Sequence, residues 1–202
     1  MTCIVGLVHD GRVFLGGDSA GVNSWFNQTI RADEKVFQNG PYIMGFTSSF
    51  RMGQLLRYSF QPPEPTEGED IDKFMATKFI DGVRSCLKDG GWARVQNGEE
   101  TGGVFLVGYQ DRLFRVDMDY QVGSLADGYC SVGCGGEIAC GAMYATKDIE
   151  DPNQRITIAL EAAERFSAGV AGPFHIVSTK KATTTKSIVI QDGIKLTISS
   201  SN

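Results

Sequence analysis

Two β-rich runs joined by a two-residue turn open this chain, and they constrain its fold more than anything that follows. Cys3 to Val8 (CIVGLV) is rich in apolar and β-branched residues. Asp10-Gly11 is a strong hairpin signal, and Arg12 to Gly17 (RVFLGG) returns as the second strand. Asn39-Gly40 repeats the device between Lys35–Gln38 and Tyr42–Thr47, so the chain as far as Thr47 reads as an antiparallel meander.

Beyond it the pattern turns helical. Ser48 to Phe60 carries Met52, Leu55 and Leu56 at helical spacing, and Gln61 to Asp70, with three prolines and four acids, is a loop. A second helix follows, with Ile71, Phe74, Phe79, Ile80, Val83 and Leu87 as its apolar stripe. The polar, Gly-containing segment Gly90 to Thr101 breaks the chain before a strand at Gly103–Tyr109. A Gln110-Asp111 turn leads to Leu113–Val116, and an extended piece runs through Tyr120–Val122. Gly133 to Gly136 opens a helix to about Thr146, and Asn153 or a neighbour starts another that ends before Gly169. Strands at Phe174–Thr179, Lys186–Ile190 and Ile194–Ile198 close the chain, the last two joined by Asp192-Gly193. Strands and helices thus alternate in blocks, which predicts an α+β fold: a layered sandwich of antiparallel sheets packed by helices. The 202 residues, without a long linker or a fixed-period repeat, fit a single domain over 1–202.

Composition excludes several function classes. With 19 basic and 24 acidic residues and a formal charge of −5, the chain lacks the electrostatic footprint of a nucleic-acid binder. No run of about eighteen apolar residues offers a membrane span. The N-terminus lacks a basic lead-in, so no signal peptide is expected. Cys3, Cys86, Cys130, Cys134 and Cys140 are an odd, scattered set, which fits reduced thiols in a cytoplasmic compartment. They form no paired CxxC motif, and His9 and His175 are the only imidazoles, so no metal site is expected. GCGGE at Gly133–Glu137 lacks the spacing of a phosphate-binding loop, and no cofactor is implied. Alternation turns Cys3 away from Thr2, into the core. His9 precedes a turn and reads as exposed, and His175 at a strand start reads as structural.

Thr2 carries the chemical interest. Once Met1 is removed, Thr2 bears a free α-amine and a hydroxyl on one residue. An α-amine has a reference pKa of about 8, so part of it is neutral at pH 7 and can take a proton. It can then act as general base for its own hydroxyl, and no separate histidine is needed. While Met1 remains attached, that nitrogen is an amide and cannot do so. Asp18 ends the second strand of the hairpin, in GGDSAG, and the hairpin returns it beside Thr2. Its carboxylate fits either a turn position or a site in which it holds an ammonium. Lys35 fits either a surface charge or a buried cation that stabilises a developing alkoxide and lowers the amine pKa.

The ordered segments TCIVGLVHDGRVFLGGDSA, EKVF, YIMGFTSS and SVGCGGEIACGAMYA resemble the proteasome β-subunits and the peptidase subunit of the bacterial two-component proteasome-like protease. The resemblance runs from Thr2 to about Ser178. It implies a four-layer αββα sandwich, the N-terminal-nucleophile hydrolase fold. It also implies a threonine-type peptidase in which Thr2 is the nucleophile, Asp18 orients the lysine and Lys35 tunes the nucleophile. The backbone N–H of Ser48 becomes the oxyanion donor, at a position where the family often has glycine. The family's accessory serine falls on Cys134. Glu164 stands where many β-subunits carry an aspartate, and Ser167 matches their following serine. The Asp18-to-Lys35 interval is slightly longer than usual, which implies an enlarged loop through Trp25 and Phe26. By the same resemblance the chain works in a homo-oligomeric ring on unfolded polypeptide or peptide substrates, with an ATP-dependent unfoldase as a partner. Two alternatives keep the scaffold: a small-molecule amidohydrolase or transpeptidase, and a catalytically silent ring subunit.

Overall fold

The computed structural model describes residues 1–181 and, beyond them, the backbone of Lys186–Val189 and Lys195–Ile198. Strands β1 (Cys3–His9) and β2 (Arg12–Gly17) form the expected hairpin, with Ile4 opposite Gly17 and His9 opposite Arg12. A short ribbon of β3 (Ala20–Val22) and β4 (Gln28–Ile30) leads to the hairpin of β5 (Val36–Asn39) and β6 (Tyr42–Phe46). Helix α1 (Phe50–Gln54) runs into a π-wound stretch at Leu55–Ser59. Helix α2 (Ile71–Phe74) continues likewise through Met75–Phe79 into α3 (Ile80–Asp89). The ribbon of β7 (Arg94–Gln96) and β8 (Glu99–Thr101) precedes β9 (Phe105–Tyr109), β10 (Arg112–Val116), β11 (Val122–Ser124) and β12 (Tyr129–Gly133). Helices α4 (Gly136–Ala145) and α5 (Pro152–Phe166) then lead to β13 (His175–Ser178), and β14 (Lys186–Val189) pairs with β15 (Lys195–Ile198).

Two antiparallel sheets carry the architecture. One has the order β12-β1-β2-β13, the other β11-β10-β9-β6-β5. Strand alternation sorts their side chains into three apolar layers. Cys3, Val5 and Leu7 of β1 point outward and pack with Ala139, Met143, Ile156 and Leu160 of α4 and α5. Ile4, Val13 and Leu15 point inward and meet Val36, Ile43, Leu106 and Leu113 of the second sheet. The far face of that sheet, with Phe37, Tyr42 and Met44, is covered by Met52, Leu55, Phe74, Phe79 and Val83 of α1–α3 and their π-wound stretches. Helices, sheet, sheet, helices: this is the predicted αββα sandwich. Each fully buried Leu, Ile or Phe in these layers contributes about 1.5–3 kcal/mol of transfer free energy.

Local chemistry explains the element ends. Asp151 caps α5 by accepting from Asn153 N at 2.9 Å, and Pro152 occupies the first turn, where its missing N–H costs nothing. Ile156, Ala159, Leu160 and Ala163 then form the buried stripe. Asp70 caps α2 in the same way, through Asp72 N.

The structure departs from the sequence expectations in a few places. Gly90–Thr101 is not only a break: Asn97 and Gly98 take positive φ, 53° and 85°, and turn the β7–β8 ribbon. The strand expected at Tyr120–Val122 begins later, at Val122, because Tyr120 sits at φ 67° in a turn closed by its N–H on Asp117 O. Tyr129–Gly133 is an additional strand, β12, that pairs with β1, an arrangement dictated by a partner remote in sequence. His9 is half-buried rather than exposed and lies 3.6 Å from Asp10, while His175 meets Glu34 at 3.3 Å. The Asp192-Gly193 turn lies outside the described residues.

Candidate active site

One end of the sandwich gathers Thr2, Asp18, Lys35, Cys134 and Ser167, and strand register is a main reason. Thr2 precedes β1 and Asp18 follows β2, so the Ile4–Gly17 pairing sets Asp18 across from Cys3. Asp18 N donates to Cys3 O at 3.3 Å, and Cys3 N donates to Asp18 Oδ1 at 2.9 Å. On the other side of β1, Cys3 pairs with Gly133, which brings Cys134 alongside Thr2. Gly133 has φ 101°, and a Cβ there would stand 2.1 Å from Thr2 O, so the approach requires glycine.

Lys35 lies just before β5, and its side chain is buried. Its Nζ donates to Asp18 Oδ1 at 2.8 Å, and both side chains are fully sealed from solvent. Asp18 Oδ2 accepts from Ala20 N at 2.9 Å and from Ala171 N at 3.4 Å. The donors around this carboxylate complement its ionised, acceptor-only form. Burial pushes the Lys35 ammonium below its ordinary pKa, and Asp18 opposes that shift. The Cys3 thiol, pushed up to about 12 by burial and by Asp18, is an inert core group.

Lys35 and Thr2 meet on one atom, the Met1 carbonyl oxygen. Thr2 Oγ1 donates to it at 2.5 Å and Lys35 Nζ at 3.4 Å. Thr2 itself is buried, 5% exposed. Its nitrogen donates to Cys134 Sγ at 3.3 Å, the thiol donates to Thr2 O at 3.4 Å, and Ser167 Oγ donates to the same sulfur at 3.4 Å. Cys134 is thus in polar contact with the Thr2 nitrogen, and Ser167, just past α5, donates to its sulfur.

Ser48 follows β6 at φ 62°, the left-handed region that glycine adopts without strain. Its hydroxyl accepts from Val104 N at 3.0 Å, while its own N–H donates to no acceptor among the described residues. A backbone N–H without an acceptor is the kind of donor an oxyanion site uses.

Glu164 is not brought to Thr2 by any hydrogen bond. It accepts from Gly172 N at 2.8 Å and so braces the loop that returns Ala171 to Asp18. Sequence reasoning missed two residues of this loop. Ala171 contributes its N–H to Asp18, and Gly169 packs against Met1 and Cys134. Both act through backbone or through absence of a side chain, so no residue-type signal marks them. Among the described residues no group of His, Cys, Asp and Glu side chains could hold a metal ion, and no helix is long and apolar enough to cross a membrane.

No family model matches the sequence, and no curated protein matches it. Solved structures do. BPH from Thiobacillus denitrificans, in complex with epoxomicin, superposes at a TM-score of 0.73 with 17% identity, over 89% of this chain and 99% of that one. Eukaryotic HslV from Trypanosoma brucei gives a TM-score of 0.61 at 16% identity, over 87% and 98% of the two chains. A Gly-1 mutant of Anbu from Hyphomicrobium sp. strain MC1 gives 0.62 at 12% identity, over 89% and 82%. This chain shares the proteasome-like N-terminal-nucleophile hydrolase fold.

Proposed function

We propose that the chain is a threonine-type peptidase whose nucleophile is Thr2 after removal of Met1. The observation that carries this reading is the convergence of the Thr2 hydroxyl and the buried Lys35 cation on one carbonyl oxygen, that of Met1. A substrate carbonyl brought to Thr2 meets a hydroxyl, a cation and a backbone N–H at the same end of the fold.

In the mature chain the Thr2 α-amine takes the hydroxyl proton as Oγ1 bonds to the carbonyl carbon. The Ser48 N–H holds the developing oxyanion; a backbone donor in that role is typically worth about 3 kcal/mol. The amine then passes the proton to the leaving nitrogen, and the C–N bond breaks. Water, deprotonated by the same amine, attacks the Thr2 ester; the acid departs and the hydroxyl is restored. Lys35 stabilises the alkoxide and lowers the amine pKa by like-charge repulsion. Asp18 holds Lys35 in place, and Cys134 and Ser167 orient the amine. Glu164 acts through the 168–173 loop.

By the same reading the chain assembles into a homo-oligomeric ring in the cytoplasm. It acts there on unfolded polypeptides that an ATP-dependent unfoldase delivers. The capture of BPH with epoxomicin supports the choice of probe. The test is intact mass and N-terminal sequencing of the protein from cells, followed by labelling of wild type and Thr2→Ala with epoxomicin or a β-lactone. Loss of Met1 and labelling that disappears in Thr2→Ala are expected. Retained Met1 with an unlabelled Thr2 would assign a silent ring subunit. Turnover of small amides without peptides would assign an amidohydrolase.

A further inference from the structure

We infer that Cys134 and the Thr2 α-amine form a reversible oxidation site: in the mature chain a peroxide converts the Cys134 thiol to a sulfenic acid, which condenses with the amine into an S–N bond and switches the site off. This rests on the removal of Met1 proposed above and names the regulation of that same site.

Sulfur and nitrogen are in contact before any reaction. The Thr2 nitrogen donates to Cys134 Sγ at 3.3 Å, and the same sulfur accepts from Ser167 Oγ at 3.4 Å. A hydroxyl in this place would serve those hydrogen bonds at least as well, because a thiol is the weaker donor and acceptor. What the thiol adds is peroxide chemistry, in which a sulfenic acid condenses with a neighbouring thiol or nitrogen. Of the five cysteines, Cys134 alone is exposed. Burial pushes the Cys3 thiol up to about 12 and raises Cys86 and Cys130 as well, so those three hold little reactive thiolate. Beside Cys134 the opposite holds in the mature chain. An α-amine with a reference pKa of about 8 is partly ammonium near neutral pH, and a cation against a thiol favours the thiolate.

A second observation ties this site to maturation. A Cβ built on Gly169 would stand 2.7 Å from Cys134 Sγ, 2.3 Å from Met1 Cβ and 2.8 Å from Met1 Sδ. Gly169 is thus one floor under both the Cys134 sulfur and the Met1 side chain. Removal of Met1 clears the space on that floor next to the sulfur. The same event turns the Thr2 nitrogen from an amide, a poor nucleophile, into an amine. The oxidation site and the peptidase site are therefore completed together.

The chemistry balances in two steps. The Cys134 thiolate attacks one oxygen of hydrogen peroxide and the O–O bond breaks. The sulfur loses two electrons and becomes the sulfenic acid, and the other oxygen leaves as water. The neutral Thr2 amine then attacks that sulfur. The S–N bond forms, the S–O bond breaks, and the hydroxyl leaves as water with a proton from the amine. The protein has lost two hydrogens. Two equivalents of a small thiol reverse the change: the first opens the S–N bond and forms a mixed disulfide, the second releases Cys134, and the thiol departs as its own disulfide. While the S–N bond stands, the Thr2 nitrogen cannot take the hydroxyl proton, so Oγ1 is left without its base.

The test treats the full chain, with Met1 removed, with hydrogen peroxide and then with dithiothreitol. Each stage is followed by β-lactone labelling of Thr2, N-terminal sequencing and peptide mapping. Peroxide is expected to slow labelling at least about tenfold, block N-terminal sequencing and yield a Thr2–Cys134 crosslinked peptide lighter by two hydrogens; dithiothreitol should reverse all three. In Cys134→Ser no crosslink should form, and peroxide should leave that variant's own labelling rate within about twofold. Thr2→Ala keeps an α-amine at position 2 and should form the crosslink although it cannot be labelled. A crosslink in both wild type and Thr2→Ala, with no labelling of untreated wild type, upholds the S–N couple and overturns the nucleophile. Labelling of untreated wild type that peroxide does not slow, or slows while the N-terminus stays open to sequencing, overturns the couple and leaves the nucleophile standing. A disulfide from Cys134 to another cysteine in place of the crosslink overturns the couple as well.

Discussion

The Lys35 ammonium lies 2.8 Å from Asp18 Oδ1, with neither side chain reached by solvent. An ion pair this deep contributes little to stability when intact, because desolvation offsets its Coulomb energy. Breaking it is different, since one charge is then left buried without its counterion.

Lys35→Met is therefore expected to lose about 3–5 kcal/mol of stability, measured by urea unfolding. Asp18 would retain only its backbone donors, Cys3 N, Ala20 N and Ala171 N. The same change should slow electrophile labelling of Thr2 by at least about a hundredfold. A variant as stable as wild type would show that Lys35 is not the buried cation described above.

The Cys3 thiol supplies a pH test. Its pKa is about 12 in the folded chain against an ordinary 9.0. Above pH 9.0 the unfolded chain sheds a proton that the folded chain keeps, so the stability due to Cys3 is whole below 9.0 and is lost as pH climbs toward 12. The slope is at most about 1.4 kcal/mol per pH unit. The stability difference between wild type and Cys3→Ala should therefore shrink by about 1 kcal/mol from pH 8 to pH 10. A constant difference would contradict the burial of this thiol.

Lys35 titrates with the opposite sign. Its folded pKa is depressed below 10.5, mainly by burial, so the cation is lost at a lower pH than from an ordinary lysine. The rate of Thr2 labelling should rise as the α-amine loses its proton and fall again below pH 10.5 as Lys35 loses its own. A profile with no alkaline limb would remove the cation from the mechanism.

Cys134 predicts a chemical sensitivity. Its sulfur is 3.3 Å from the Thr2 nitrogen, so carbamidomethylation by iodoacetamide should abolish Thr2 labelling. Cys134→Ser should resist the reagent and keep the labelling rate within about tenfold, the worth of one hydrogen bond. Peptide mapping of the alkylated protein checks which thiol reacted.

Glu164 separates bracing from chemistry. Glu164→Gln keeps an acceptor for Gly172 N and should behave like wild type, whereas Glu164→Ala removes it. Faster amide exchange at Ala171 and Gly172 in the alanine variant alone is expected, with about 1 kcal/mol lost locally. Equal exchange in all three proteins would show that this carboxylate does not hold the loop.

Turn chemistry and alternation make much of this molecule legible in its sequence. Asp10-Gly11 sets the β1–β2 register, and that register alone sets Asp18 across from Cys3, one residue from Thr2. The alternation of Cys3, Val5 and Leu7 with Ile4 assigns the two faces of the first sheet. These are interactions between residues close in sequence, and the residue types state them. The burial of Lys35, the meeting of Cys134 with the Thr2 nitrogen, the Gly172 contact of Glu164 and the Gly169 floor under Met1 carry no such mark. They arise where segments far apart in the chain are pressed together by two sheets and their helices. There, burial and backbone donors, rather than residue identity, decide which charge is paired and which space is left open.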